Sequence, residues 1–359
     1  MKKPTRILTL TALAVASMLA FAGCSSAASA DTDGDPTGGT PATELRLGYF
    51  ANVTHAPALI GLQEGIFQKV LGDTTLTTQT FNAGPAAIEA LSAGAIDATF
   101  IGPNPSINTF IQSGGASARI VAGATTGGAA LVVREGIDSP AALKGATIAT
   151  PQLGNTQDVA LRSWLKDQGF TTDTTGGGDV HVTPTENAQT LTLFQQGQID
   201  GAWLPEPWVS RLVVDAGARV LVDEADLWPN GAFPTTVLLV RKDYLDAHPQ
   251  TVSALVQGNL DAISWIADHA DTAPAEINAK LTADTGKGLS EAVLARALAH
   301  VTFSADPHAE TFQTLVDHGR DAGTQKKGSI EGLFDLRLLN GLLTEKGAPA
   351  VSAGGLGKE

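Results

Sequence analysis

Cysteine occurs once in the 359 residues, at Cys24. An internal disulfide, a cysteine zinc site and an iron–sulfur cluster are thereby excluded. Cations are scarce: 23 Lys and Arg stand against 37 Asp and Glu, a formal net charge of -14, with no long basic run. Binding to nucleic acid needs a basic face and is not expected. Familiar catalytic signatures are missing as well. None of the seven His falls in a His-Glu-x-x-His pattern, and there is no Gly-x-Ser-x-Gly elbow, P-loop or dinucleotide fingerprint. Ser163-Trp-Leu-Lys166 fits Ser-x-x-Lys, but it falls inside a predicted amphipathic helix and reads as a solvated face. The chain is not expected to be an enzyme, and no cofactor or metal is expected. What remains is 43% hydrophobic, a globular fraction, on a length that allows two domains.

The ends carry address information. Lys2, Lys3 and Arg6 precede the uncharged, mostly apolar run Ile7–Ala22, which is shorter than the ~20 residues of a membrane span. Residues 1–23 therefore read as a secretory signal. Phe21-Ala-Gly-Cys24 resembles a bacterial lipobox, with Phe21 in place of the usual Leu, so Cys24 is the expected lipidation site. Ser25 to Thr43 are Ser, Ala, Asp, Thr, Gly and Pro without apolar periodicity, so residues 24–43 read as a lipid-anchored flexible linker. A lipid, a tether and a globular body imply work at the outer face of a cell membrane.

The body alternates short strands with helices of about ten residues, the pattern of parallel sheets covered by helices. From Pro249 on, the sequence is mainly helical. An internal echo links residues 93–105 to 196–208: Gly94, Ile96 and Asp97 align with Gly197, Ile199 and Asp200. It reads either as a common helix-to-strand turn or as two similar lobes, each with a strand-to-helix loop. Several helices open with Pro after a strand, at Pro57, Pro85, Pro105 and Pro207, and Asn155-Thr156 opens another with a good capping residue. In an open α/β sheet such loops gather where ligands bind, and helix starts suit anions. In so acidic a chain, only a local array of donors could hold an anion.

These features occur in a familiar order. After the lipobox come Leu45-Arg-Leu-Gly-Tyr-Phe50, His55-Ala-Pro57, Glu64-Gly65, Ala83-Gly-Pro85, Ala90–Asp97, Leu143-Lys-Gly145, Gly201-Ala-Trp203 and Glu206-Pro-Trp208. Together they resemble the sulfonate/nitrate/taurine group of ABC-transporter solute-binding lipoproteins, over nearly all of residues 44–345. The resemblance implies a type II periplasmic-binding-protein fold, with two lobes of mixed sheet flanked by helices and a two-crossing hinge. Residues 44–133 and the mainly helical 237–350 would form lobe 1, residues 134–236 lobe 2, and 351–359 a tail. The hinge would lie near Val132–Arg134 and Thr235–Val237. It further implies a monomer that closes on a small anionic or zwitterionic solute and delivers it to a membrane permease.

Carried over residue by residue, the family's pocket implies Thr54 and His55 from the first loop, Ala83 and Gly84 through backbone N–H, Asn104 and the strand end at Gly127. From the other lobe come Asn155, Thr156, Trp203 and Glu206. Asn and Thr would donate to ligand oxygens, and Trp203 would wall an apolar chain. His55 also reads as a mere helix-start residue, Trp203 as core and Trp208 as packing. Glu206 facing an anion would be costly. It would cap its own helix, meet the cation of a zwitterion, or hold a bridging metal, the first being favoured. Trp203, Phe100 and Phe233 suit an organic substituent, so an aliphatic sulfonate or taurine is the expected solute. Nitrate, bicarbonate or a thiamine-precursor pyrimidine is the alternative.

Overall fold

The computed structural model describes residues 40–359. The expected signal, Cys24 and the linker up to residue 39 lie outside the described residues. No helix among the described residues is long and apolar enough to cross a membrane.

The chain first builds β1 (Glu44–Phe50), α1 (Ala56–Gln63), α2 (Ile66–Leu71), β2 (Thr75–Phe81), α3 (Gly84–Ser92), β3 (Ala98–Ile101), α4 (Pro103–Gln112) and β4 (Ala118–Gly127). β1 pairs in parallel with both β2 and β3, as strands joined by helices must. A second sheet follows: β5 (Ala129–Val133), β6 (Thr147–Thr150), α5 (Thr156–Asp167), β7 (His181–Pro184), α6 (Asn187–Gln195), β8 (Gly201–Pro205), α7 (Trp208–Ala216) and β9 (Arg219–Asp223). Its order is β7-β6-β8-β5-β9.

The chain returns in β10 (Pro234–Arg241), which inserts antiparallel between β3 and β4. Val237–Val240 are all fully buried, which suits a central strand covered on both faces. There follow α8 (Lys242–Ala247), α9 (Pro249–Asp268), α10 (Ala273–Thr285), α11 (Glu291–Ala299), β11 (Val301–Phe303), α12 (Phe312–Asp321), β12 (Phe334–Asp335), α13 (Arg337–Glu345) and β13 (Gly357–Lys358). The first sheet runs β13-β12-β4-β10-β3-β1-β2, with β11 also on β4.

Period-two alternation explains how the second sheet buries both faces. Leu131, Val133 and Trp203 pack on one face, with Leu161 and Trp164 of α5. Ala130, Val132, Ala202 and Leu204 pack on the other, with Leu191 of α6 and Leu212 of α7. The internal echo is structural. Gly94 and Gly197 both end a helix at positive φ, 69° and 73°. Asp97 accepts the Arg46 backbone N–H of β1 at 3.0 Å, and Asp200 accepts the Thr147 N–H of β6 at 2.8 Å. Each lobe thus uses one carboxylate to fasten a strand beside the αβ turn.

The sheets are mixed, as the family resemblance implies and unlike the parallel pattern that the strand–helix alternation alone suggests, because β5 and β10 run against their neighbours where the chain crosses between lobes. Four expectations change. The first crossing falls at Gly127–Gly128, before the expected Val132–Arg134, since β5 pairs with β8 and β9 along its whole length. The second falls between Asp223 and Pro234, before the expected Thr235–Val237. The linker ends early: Ala42 is buried, its N–H donating to Thr251 and its carbonyl accepting from Thr74. The tail is part of the first sheet, Gly357 and Lys358 pairing with Phe334 and Asp335.

The hinge glycine is sterically required. Gly128 has φ 76°, and a Cβ there would run into the Val301 side chain. Gly128→Ala is expected to cost about 1–3 kcal/mol, read as a lower urea midpoint with unchanged slope.

Candidate functional site

Between the lobes lies a small cavity, with about 20 Å³ of room for the centre of a water-sized sphere. Phe50, Asn52, Thr54, His55, Asn82 and Gly102 line it from the first sheet's side. Pro151, Asn155, Thr156, Gln157, Asn187 and Pro205 line it from the second, and Thr235 from the returning strand. None of these is Lys, Arg, Asp or Glu. The wall is made of neutral dipoles, and helix starts supply many of them. Gly102 precedes α4, Asn155 precedes α5 and Asn187 opens α6. No side chain caps any of the three. Three helix starts without a side-chain cap therefore border one small space, with α5 and α6 opening on residues that carry an N–H and α4 opening on Pro103 and Pro105, which do not.

Two buried polar atoms in the wall lack a protein partner: Thr156 Oγ1 and Asn187 Oδ1. Buried polar atoms without a partner are rare, and in a cavity wall they point to a ligand. Asn155 is already engaged. Its Oδ1 accepts the Gly84 N–H at 3.1 Å across the cleft, and its Nδ2 donates to Gln157 at 3.0 Å. His55 is buried, and desolvation pulls its pKa down to about 3, so the ring is neutral. Its Nδ1 accepts the Phe50 N–H at 3.3 Å, which assigns the remaining ring proton to Nε2.

The start of α5 is braced from behind. Asp158 accepts Thr150 Oγ1 at 2.8 Å, the Gly154 N–H at 2.9 Å and Arg162 Nε at 3.0 Å. Both charged side chains are fully buried. Arg162 reaches on to the Asp173 carbonyl at 2.6 Å. This network fixes the 150–156 segment that presents Asn155 and Thr156. Further bonds cross from lobe to lobe. Trp208 Nε1 donates to Asn52 at 2.9 Å, Asn82 to Glu186 at 3.4 Å, Arg296 to Glu206 at 3.0 Å, and Lys166 pairs with Asp321. The cleft is closed.

Of the residues expected from sequence, Thr54, His55, Asn155 and Thr156 line the cavity. The others do not. Ala83 is buried beside it, and the Gly84 N–H is taken by Asn155. Asn104 turns the other way, its Nδ2 donating to the Leu315 carbonyl at 3.2 Å. The Gly127 carbonyl accepts from Thr235 in the first crossing. Trp203 is core: it meets Trp164 edge-on at 5.9 Å and donates to Glu224 at 2.7 Å. Phe100 is packed against Phe67, and Phe233 is stacked on Trp228. Glu206 takes the first of its expected options. Its Oε2 accepts the Ser210 N–H at 3.0 Å at the start of α7, and its Oε1 faces Arg296. Burial raises its pKa, against the pull of Ser210 and Arg296. Among the described residues no group of three His, Cys, Asp or Glu side chains gathers that could hold a metal.

Sequence reasoning missed Asn52, Asn82, Gln157 and Asn187. A signal existed for the last: Asn187 opens a helix after a strand, as Asn155-Thr156 does. Asn52 and Asn82 follow strand ends without a pattern that marks them.

Two lobes of mixed sheet joined by two crossings and closed over a polar cavity define a type II periplasmic-binding fold. Residues 38–283 match the model of the NMT1-like family, and the chain belongs to it. A putative aliphatic sulfonates-binding protein of Escherichia coli K12 is 30% identical over 264 residues, 71% of this chain and 75% of that one. The taurine-binding periplasmic protein of the same organism is 29% identical over 206 residues, 57% of this chain. That match covers 62% of the taurine-binding protein, less than two thirds of its length. Among solved structures, the alkanesulfonate-binding protein SsuA of Xanthomonas axonopodis pv. citri bound to MOPS has a TM-score of 0.66. It is 23% identical, and the likeness covers 80% of this chain and 96% of that one.

Glu224 provides a pH signature of the second lobe. Burial pushes its pKa up to about 7, against the pull of Trp203 and Trp228. Below about 4.5 both folded and unfolded states hold the proton. Between there and about 7 only the folded state does, so stability falls as pH rises and then levels off. Glu224→Gln keeps an acceptor for Trp203 and removes that term. The wild-type melting temperature should therefore drop more between pH 5 and pH 8 than the variant's. The difference corresponds to about 3 kcal/mol. Parallel profiles would contradict the assignment.

Proposed function

We propose that this protein is the extracytoplasmic solute-binding component of an ABC importer, and that it captures a small organosulfonate-like anion by closing its two lobes. The observation that carries the reading is the cavity wall: three uncapped helix starts and an unpartnered Thr156 hydroxyl, with no carboxylate facing inward. A sulfonate offers three acceptor oxygens on one centre, which suits donors converging from both lobes. Ligand that bonds to both lobes at once favours the closed form over the open one, and that difference drives closure. Relatives named for sulfonate and taurine binding support the same class of solute. On this reading Cys24 carries the lipid, the body works as a monomer outside the membrane, and the closed form docks on permease subunits.

A thermal-shift panel tests the solute class: alkanesulfonates, taurine, nitrate with and without Ca²⁺, bicarbonate and pyrimidines. Ligand at 100 times its dissociation constant should add about 2.7 kcal/mol. A shift confined to nitrate, bicarbonate or pyrimidines would overturn the sulfonate reading. Thr156→Val keeps the shape and removes the hydroxyl. It is expected to weaken the selected anion about tenfold by calorimetry while the unliganded melting temperature holds. An unchanged dissociation constant would remove the α5 start from the site.

A further inference from the structure

The closed cavity has a neighbour. A second, larger space of about 120 Å³ on the same measure lies at its rim, and Asn52, Asn82 and Asn187 line both. Its other walls include Glu186, Trp208 and Thr285. The two spaces differ in charge. The inner one has no ionised side chain in its wall. The outer one has a carboxylate, Glu186, held across the cleft by the weak Asn82 contact at 3.4 Å.

Asn187 stands between them. It is more than nine-tenths buried, and its Oδ1 is an acceptor without a donor. An anion cannot satisfy an acceptor; an N–H can. The inner donors therefore ask for acceptors, while Asn187 Oδ1 and the Glu186 carboxylate ask for a donor that carries positive charge. Trp208 closes the far side. Its Nε1 is tied to Asn52 and Arg211 stacks on its ring at 4.7 Å, so it acts as a wall. Arg211 is itself beside Asp215.

We propose that Glu186 and Asn187 form a specificity subsite for a protonated amine, so that the solute is a short zwitterion with its anionic head inside and its ammonium at the rim. The inference deepens the sulfonate reading and rests on the same cleft, but it assigns the cationic end to Glu186. Glu206, paired with Arg296 and Ser210, is not free to take that part.

The test uses matched pairs with and without the amine, taurine against ethanesulfonate and β-alanine against propionate, titrated calorimetrically into the full chain and into Glu186→Gln. Taurine should bind the wild type about tenfold more tightly than ethanesulfonate. Glu186→Gln should erase that gap by weakening taurine and leave ethanesulfonate unchanged. Asn187→Ala should also narrow the gap. Equal wild-type binding of taurine and ethanesulfonate, or a gap that survives Glu186→Gln, would overturn the subsite while leaving the sulfonate reading intact. If the sulfonates fail to bind but β-alanine exceeds propionate in a Glu186-dependent way, the subsite stands and the sulfonate reading falls. Absence of binding by all four overturns both.

Discussion

The buried carboxylate of Asp158 is the interaction on which the site depends. It joins the end of β6, the Gly154 turn and Arg162, all out of contact with water. Breaking such a network by removing one partner costs several kcal/mol, because it leaves a charge unpaired in a poor dielectric. Its consequence is positional. The 150–156 segment has little freedom, so Thr156 and the α5 start meet the opposite lobe in one geometry. A recognition surface made only of neutral dipoles needs that rigidity, because each dipole is weak and direction-dependent.

The electrostatic arrangement follows. The protein is strongly acidic, and its overall field repels anions. No cation lines the inner cavity to offset this. Local donors at contact distance must do so, in a space dry enough to strengthen them. His55 fits this scheme because burial keeps it neutral, and an uncharged imidazole can donate without adding a titrating charge to the wall. Cations sit elsewhere. Arg296 and Lys166 join the lobes to each other and face carboxylates rather than the cavity.

Trp203 and Glu206 show how one motif divides between structure and site. Both belong to the run that carries the family resemblance, and neither lines the cavity. An indole on a strand covered by α5 is worth more as core than as a ligand wall, provided its N–H finds an acceptor, and Glu224 supplies one. Glu206 satisfies the start of α7 and meets Arg296 from the other lobe. A carboxylate used in this way cannot also face the solute. On the proposed reading the charged end of recognition falls to the rim, where Glu186 is exposed to water.

The alternation of strands and helices, the two lobes and the loops that meet at the cleft were legible in the sequence, because each is set by local periodicity and by residues that start or stop helices. Asn155 and Thr156 were legible as a helix start, and Thr54 and His55 through the family resemblance. The sheet changes at Gly128 and after Asp223 were not. Strand pairing joins residues far apart in sequence, and β5 and β10 differ from their neighbours only in partner and direction. Nor did the sequence determine which polar residues face the cavity. Asn104 and Asn187 both lie in the first turn of a helix and both keep an unpartnered Oδ1, yet Asn104 donates to the Leu315 carbonyl away from the cavity and Asn187 lines the cavity wall. That choice depends on which element packs against each helix, and only the tertiary structure decided it.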